Sequence, residues 1–375
     1  MNDKNNARAG ETATGATAIT DGEMIDKDNG IPQISGTLND AAKDAAKTKD
    51  LFLVRTANGC LKDASNRPIP KMLFGEFWFE GELCILFADT NTGKSIAAIQ
   101  IGDSISKGKS ISDIKMEAKP QTVLCFDFEL SDKQFEARYS ENFSNHYQFN
   151  DRFRRAEINP DADMSEAYKG DFERYLYDSM EAAILETGAT VLILDNITYL
   201  KSATEKAQDA LPLMKYLKAL KTKYGLSVLC LAHTPKRDSS KPIGRNDVQG
   251  SKMLINFCDS AFSIGESFND TNARYLKQIK ARNTEIIYDS DNVILCQIVK
   301  RTNFLQFEFL GFANERDHLK FQTEQDTAKR NELIGKYKSE GLKNTEIAEK
   351  LGLSEGAIRK RLKKMEDETR KAENL

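Results

Sequence analysis

Residues 82–99 read ELCILFADTNTGKSIAAI. A near-continuous apolar run over 82–87 gives way to a small, polar loop, which then opens a helical pattern. Such a short apolar run suits a strand of a parallel sheet covered on both faces. In the loop, Gly93, Lys94 and Ser95 stand directly ahead of the helix. That order matches a phosphate cradle. Backbone N–H groups at a helix N-terminus surround the phosphate, a glycine permits close approach, a lysine reaches the β/γ oxygens and a hydroxyl ligates Mg²⁺. Ala88, Asp89, Thr90, Asn91, Thr92, Gly93, Lys94, Ser95 and Ile96 are therefore the candidates for binding ATP, with Ser95 also a Mg²⁺ ligand. Ala88 occupies a position where this loop usually carries glycine. It stays small but has less backbone freedom.

Working outward, apolar runs recur at 121–128 (QTVLCFDF), 190–195 (TVLILD) and 226–232 (LSVLCLA), with helical patterns at 94–107, 171–187 and 205–224. This alternation predicts an α/β fold, a mostly parallel twisted sheet with flanking helices and right-handed crossovers. Runs at 260–264, 273–280, 291–299 and 302–310 are spaced like hairpin strands and are expected to extend one edge in antiparallel fashion. An ATPase domain is thus expected over 51–311, a polar linker over 312–328 and a small all-α module over 329–375. Residues 1–50 have no sustained period and read as disordered, burying too little apolar surface to offset chain entropy.

Composition narrows the function classes. The chain has 54 Lys and Arg against 57 Asp and Glu, a net charge of −3, which excludes a globally basic DNA coat protein. Residues 329–375 carry thirteen basic and nine acidic groups, so positive charge gathers at that end. No run of 18 apolar residues exists, so no membrane span is expected, and MNDKNNARAGETATG lacks the apolar core of a signal peptide. The six cysteines form no CxxC pair. Cys84, Cys125, Cys230 and Cys296 fall inside strand-like runs, as reduced core thiols of a cytoplasmic protein would.

Two strand ends carry acids. Asp195 closes the run 190–195, where a carboxylate can join Ser95 in the Mg²⁺ shell. Strand 121–128, expected beside the phosphate strand, leads into Asp127-Phe128-Glu129, and Glu129 is the candidate general base. A turn preference would equally place Asp195 there, and a helix cap would account for Glu129.

On these residues the chain resembles the RecA/DnaB superfamily of ATPases, and within it the RepA-type hexameric helicase branch, over roughly 74–310. The resemblance implies that Lys94 and Glu129 are catalytic and that Asp195 holds the metal. It implies that His233, in Leu231-Ala232-His233-Thr234-Pro235, senses the γ-phosphate and signals to a DNA-contacting loop. It also implies that Lys280 and Arg282 reach a neighbouring subunit's nucleotide in a homo-oligomer, a hexamer in that branch. A solvated edge strand explains the Lys280/Arg282 spacing equally well.

Two segments are DNA-contacting candidates. The loop 235–245 contains Lys236, Arg237, Lys241 and Arg245 without an apolar anchor or an aromatic residue. It is expected to be mobile, and the resemblance implies that it lines a ring channel and holds single-stranded DNA by phosphate contacts; a plain solvated loop is the competing reading. In the tail, Ile347, Leu351, Leu353, Ile358 and Leu362 recur at helical spacing, Gly352 permits a tight turn and Ser354 can cap the next helix. This resembles a helix-turn-helix, with Arg359, Lys360 and Lys363 on the second helix for duplex DNA. A protein-binding helical hairpin is the competing reading. The sequence therefore points to an ATP-driven DNA motor, with an ATP-switched DNA-binding regulator as the alternative. The absence of an evident lid argues against a small-molecule kinase.

Overall fold

The computed structural model describes residues 52–373 other than Thr198, 201–209, Lys236, 249–251, 321–323, Gly352 and Ser354. The expectation for residues 1–50, the reading of Lys236 and the turn at Gly352 and Ser354 therefore lie outside the described residues. The chain divides into two units, Met1–Pro68 and Ile69–Leu375. In the first, helix α1 (Ala57–Ser65) starts at Thr56, whose hydroxyl accepts from Gly59 N at 3.1 Å, and none of its residues is buried.

The second unit is built on a nine-stranded sheet. Its strands are β1 (Leu83–Ala88), β2 (Val123–Asp127), β3 (Phe153–Ala156), β4 (Val191–Asp195), β5 (Ser227–His233), β6 (Ser260–Glu266), β7 (Ala273–Lys280), β8 (Val293–Arg301) and β9 (Phe304–Ala313). The spatial order is β9-β8-β7-β6-β1-β5-β4-β2-β3. The six strands from β6 to β3 run parallel, and β7, β8 and β9 add antiparallel pairs at one edge. The strand at 260–264 joins the two parts of the sheet: it pairs antiparallel with β7, as expected, and on its other edge it lies parallel to β1, with Ile264 level with Ala88.

Strand alternation divides the core between the two faces. Leu83, Ile85 and Phe87 point to α4 (Phe172–Thr187) and α5 (Ala210–Tyr224), among Leu176, Met180, Leu213 and Leu217. Cys84, Leu86 and Ala88 point the other way, to Ala97, Ile101 and Ile105 of α2 (Lys94–Lys107). A buried Leu, Ile, Phe or Met side chain among these contributes about 1.5–3 kcal/mol relative to exposure. Five cysteines are buried and Cys60 is exposed. Gln100 of α2 ties the helix to the edge strand: its Nε2 donates to Phe307 O at 3.0 Å and its Oε1 accepts from Phe307 N at 2.8 Å.

Three differences from the sequence reading bear on the site. Strand β2 is not beside β1; β5 and β4 stand between them. Strand β3 and the short helix α3 (Asp132–Arg138) are additional elements. The segment read as a linker, 312–328, is structured at both ends: Phe312 and Ala313 complete β9, Glu315–His318 form a 3₁₀ turn with Glu315 fully buried, and a helix begins at Glu324. After helix α6 (Lys252–Phe257) and the edge strands, the tail forms α7 (Glu324–Ser339), α8 (Asn344–Lys350) and α9 (Glu355–Glu373). Ile334, Ile347, Ala348, Leu351 and Ile358 make its core, with Leu353 and Leu362 packed against it, as the spacing predicted. No described helix is long and apolar enough to cross a membrane.

Candidate active site

β1 delivers the chain at Ala88 to the loop 89–93, and α2 begins at Lys94. Gly93 adopts φ 103°, and Asn91 is also left-handed at φ 65°. These turns bring the loop back over the helix N-terminus, whose unpaired N–H groups and dipole favour an anion. Lys94 Nζ donates to the loop's own carbonyls, Ala88 O at 3.0 Å and Asp89 O at 2.8 Å. Burial holds its pKa below the ordinary lysine value, while Asp195, Glu129 and Asp89 pull it back up. Ala88 is completely buried and Thr92 nearly so, so both serve packing as well as the turn.

Asp195 ends β4 and is 4% exposed. Burial pushes its pKa up to about 7, opposed by a hydrogen bond from Ser95 and by Lys94, and reinforced by Glu129 and Asp127. A buried carboxylate that resists ionisation, paired with a hydroxyl, is a hard-oxygen donor set that a divalent cation would satisfy. No cluster of three His, Cys, Asp or Glu suited to a metal occurs among the described residues. Mg²⁺ takes one or two protein ligands and completes its shell from phosphate and water, a demand that Ser95 and Asp195 would meet.

Glu129 lies beyond β2 and reaches the site across β4. Its backbone is set by Asp127, whose Oδ1 accepts from Glu129 N (3.1 Å) and Leu130 N (3.0 Å). Arg155 of β3 fixes Asp127 in turn, with Nε 3.0 Å from Oδ2, while Nη1 donates to Asp132 at 2.7 Å and Nη2 to Leu130 O. The side chain meets Asn196, whose Nδ2 donates to Glu129 Oε1 and lies 3.0 Å from His233 Nε2. His233 Nε2 is 3.7 Å from Glu129 Oε1, beyond hydrogen-bond distance.

Lys94, Ser95, Glu129, Asp195 and His233 thus share one neighbourhood, at the C-terminal ends of parallel strands, where open α/β sheets bind ligands. Arg155 and Asn196 were not expected. β3 has only two apolar residues in four and shows no periodicity, whereas Asn196 directly follows Asp195 and was open to notice. Lys280 and Arg282 are elsewhere. Lys280 Nζ caps α6 by donating to Ile255 O (2.6 Å) and Cys258 O (2.7 Å), and Arg282 pairs with Asp259 at 2.9 Å. Asp259 also accepts from Leu83 N, the first residue of β1.

The basic loop is anchored, contrary to expectation. Ile243 is buried, its N–H donates to Glu315 Oε1 (2.7 Å), and its carbonyl accepts from Lys277 Nζ (2.7 Å). Lys277 and Glu315 pair directly in the interior. Arg237 Nη1 donates to Lys241 O (2.8 Å) and Arg245 Nε to Ile279 O (3.3 Å), while Lys241 is exposed. In the tail, Arg359, Lys360 and Lys363 all stand exposed on α9.

Residues 55–239 match the family model of the AAA domain. Residues 337–368 match that of the winged helix-turn-helix DNA-binding domain. By these likenesses the chain pairs a P-loop ATPase domain with a DNA-binding helix-turn-helix. The first match takes in the phosphate loop, Glu129, Asp195 and His233, and ends before Lys280 and Arg282. The second covers the end of α7, all of α8 and most of α9. No curated protein matches the chain.

Proposed function

We propose that this protein is an ATP-hydrolysing, DNA-associated motor that works as a homo-oligomeric ring, a RepA-like replicative helicase of a plasmid or other mobile element. The observation that carries the reading is the meeting of Glu129, Asp195 and His233, from three strand ends, with Lys94 and Ser95 of the phosphate loop. In this reading Lys94 and the loop 88–96 would bind the nucleotide, and Ser95 and Asp195 would hold Mg²⁺, which would supply charge neutralisation at the phosphates. Glu129 accepts the proton of the attacking water. His233, one residue before Thr234, whose N–H donates to Ala88 O at 3.1 Å, stands at the junction of phosphate loop and basic loop. Lys280 and Arg282 act on the neighbouring protomer's nucleotide.

One observation favours the regulator reading. Arg237 and Arg245 of the basic loop each donate to a backbone carbonyl, whereas Arg359, Lys360 and Lys363 of α9 are exposed. DNA contact through α9 alone would suit an ATP-controlled duplex binder. Turnover of ATP by the purified protein with no DNA, single-stranded DNA or duplex, together with its native mass, separates the two. The motor predicts a ring-sized assembly stimulated at least tenfold by single strands. A monomer indifferent to single-stranded DNA would overturn it. Glu129→Gln is expected to keep ATP affinity while losing about 10²-fold or more in kcat.

A further inference from the structure

The Glu129 carboxylate is 43% exposed at its side chain, and its backbone anchor through Asp127 does not restrict rotation of the side chain. The group that meets it is Asn196, itself 5% exposed, with the next residue's N–H donating to Leu231 O at 3.0 Å. A carboxylate only accepts, so the Asn196 NH₂ must face it, and that choice fixes the amide's orientation. The same NH₂ has a second hydrogen, and His233 Nε2 lies 3.0 Å away. Nε2 is then an acceptor, which places the imidazole proton on Nδ1. Nδ1 is buried and has no hydrogen-bond partner among the described residues, so Nε2 supplies the ring's hydrogen-bonded hold.

We propose that Asn196 is the positioning residue of the hydrolytic step, its single NH₂ group joining Glu129 to His233 so that base and sensor move as one unit. This rests on the reading of the site as an ATPase. His233 is level with Ala88 in the sheet, where the phosphate loop begins. A displacement of its ring on nucleotide binding is passed to the amide and from there to the Glu129 carboxylate. With the amide removed, Glu129 loses its orientation and the imidazole loses its hydrogen bond at Nε2, although every group that binds the phosphates is intact. The defect therefore falls on kcat and not on affinity.

The test compares wild type, Asn196→Ala, the isosteric Asn196→Asp, His233→Ala and the double variant Asn196→Ala/His233→Ala. ATP affinity, KM and kcat are measured, with ¹⁵N NMR of the three imidazoles. Both Asn196 variants are expected to lose roughly 10²-fold in kcat with KM within about threefold. The double variant is expected to be no slower than the slower single one, as for residues acting as a unit. In the wild type His233 is expected as the Nδ1–H tautomer, with the acceptor shift at Nε2 lost in Asn196→Ala. Wild-type kcat in the Asn196 variants, multiplicative losses in the double variant, or an Nε2–H tautomer in the wild type would each overturn the coupling. Should Asn196→Ala fail to fold, the isosteric variant and the wild-type tautomer still decide. A wild type without ATP turnover overturns the ATPase reading itself, a result distinct from an active enzyme indifferent to Asn196.

Discussion

A Cβ on Gly93 would stand 2.6 Å from Ile298 Cδ1 and 2.9 Å from the Phe307 ring, at a φ of 103° that side chains rarely adopt. Ile298 belongs to β8 and Phe307 to β9, so the edge strands press directly on the phosphate loop. Gly93→Ala therefore meets two obstacles, backbone strain of about 1–3 kcal/mol and a side-chain clash. It is expected to lower stability by at least 2 kcal/mol or so and to abolish binding of a fluorescent ATP analogue. Urea unfolding and a titration check both, and a fully stable variant would show that Ile298 and Phe307 yield. The motif Gly93-Lys94-Ser95 was legible because each residue type is dictated by local chemistry. Arg155 was not, because its partners Asp127, Asp132 and Leu130 lie 23 to 28 residues away and are gathered by strand pairing alone.

Among the elements, the basic loop 235–245 shows how burial elsewhere governs a surface segment. Its sequence gives it one isolated Ile243, too little for an anchor by pattern, yet Lys277 of β7 and Glu315 of the 3₁₀ turn take both of that residue's backbone groups. Glu315 also accepts from Tyr275 OH at 3.3 Å, and its own N–H donates to Ser290 O at 2.7 Å. Removing one member of a buried pair leaves an uncompensated charge, costing about 3–5 kcal/mol. Glu315→Ala is accordingly expected to lose that much stability in chemical denaturation, with most of it regained in Glu315→Leu/Lys277→Met. If the double variant is no better than the single, the loss comes from the loop's missing backbone bonds instead. Helix and strand positions were largely readable from apolar period, since β1, β2, β4 and β5 are covered on both faces. The 3₁₀ turn was not, because a polar stretch with one buried glutamate has the composition of a linker.

For the whole molecule, the position of Arg282 is the decisive fact. It pairs with Asp259 beside Leu83, at the start of β1, whereas the phosphate loop follows Ala88 at the end. Five residue steps of strand span about 17 Å, too far for its own nucleotide. A role for Arg282 in hydrolysis therefore requires a second protomer. Arg282→Ala is expected to lose at least 10³-fold in turnover, the scale of an arginine finger. Mixing it with Lys94→Ala protomers is expected to restore part of the activity, since each contributes the group the other lacks. No restoration, with subunit exchange shown by native mass, would rule out the shared site.

By itself the sequence determined the α/β class, the phosphate loop, the acids at strand ends and the core of the three-helix tail. Each of these is written in local chemistry or in the period of apolar residues, which burial on one or two faces enforces. Only the tertiary structure decided the strand order that separates β2 from β1, the Asn196 contact between Glu129 and His233, and the tethering of the basic loop. Those features depend on which distant segments become neighbours. Polar contacts made across such distances leave no periodic trace in the chain that forms them.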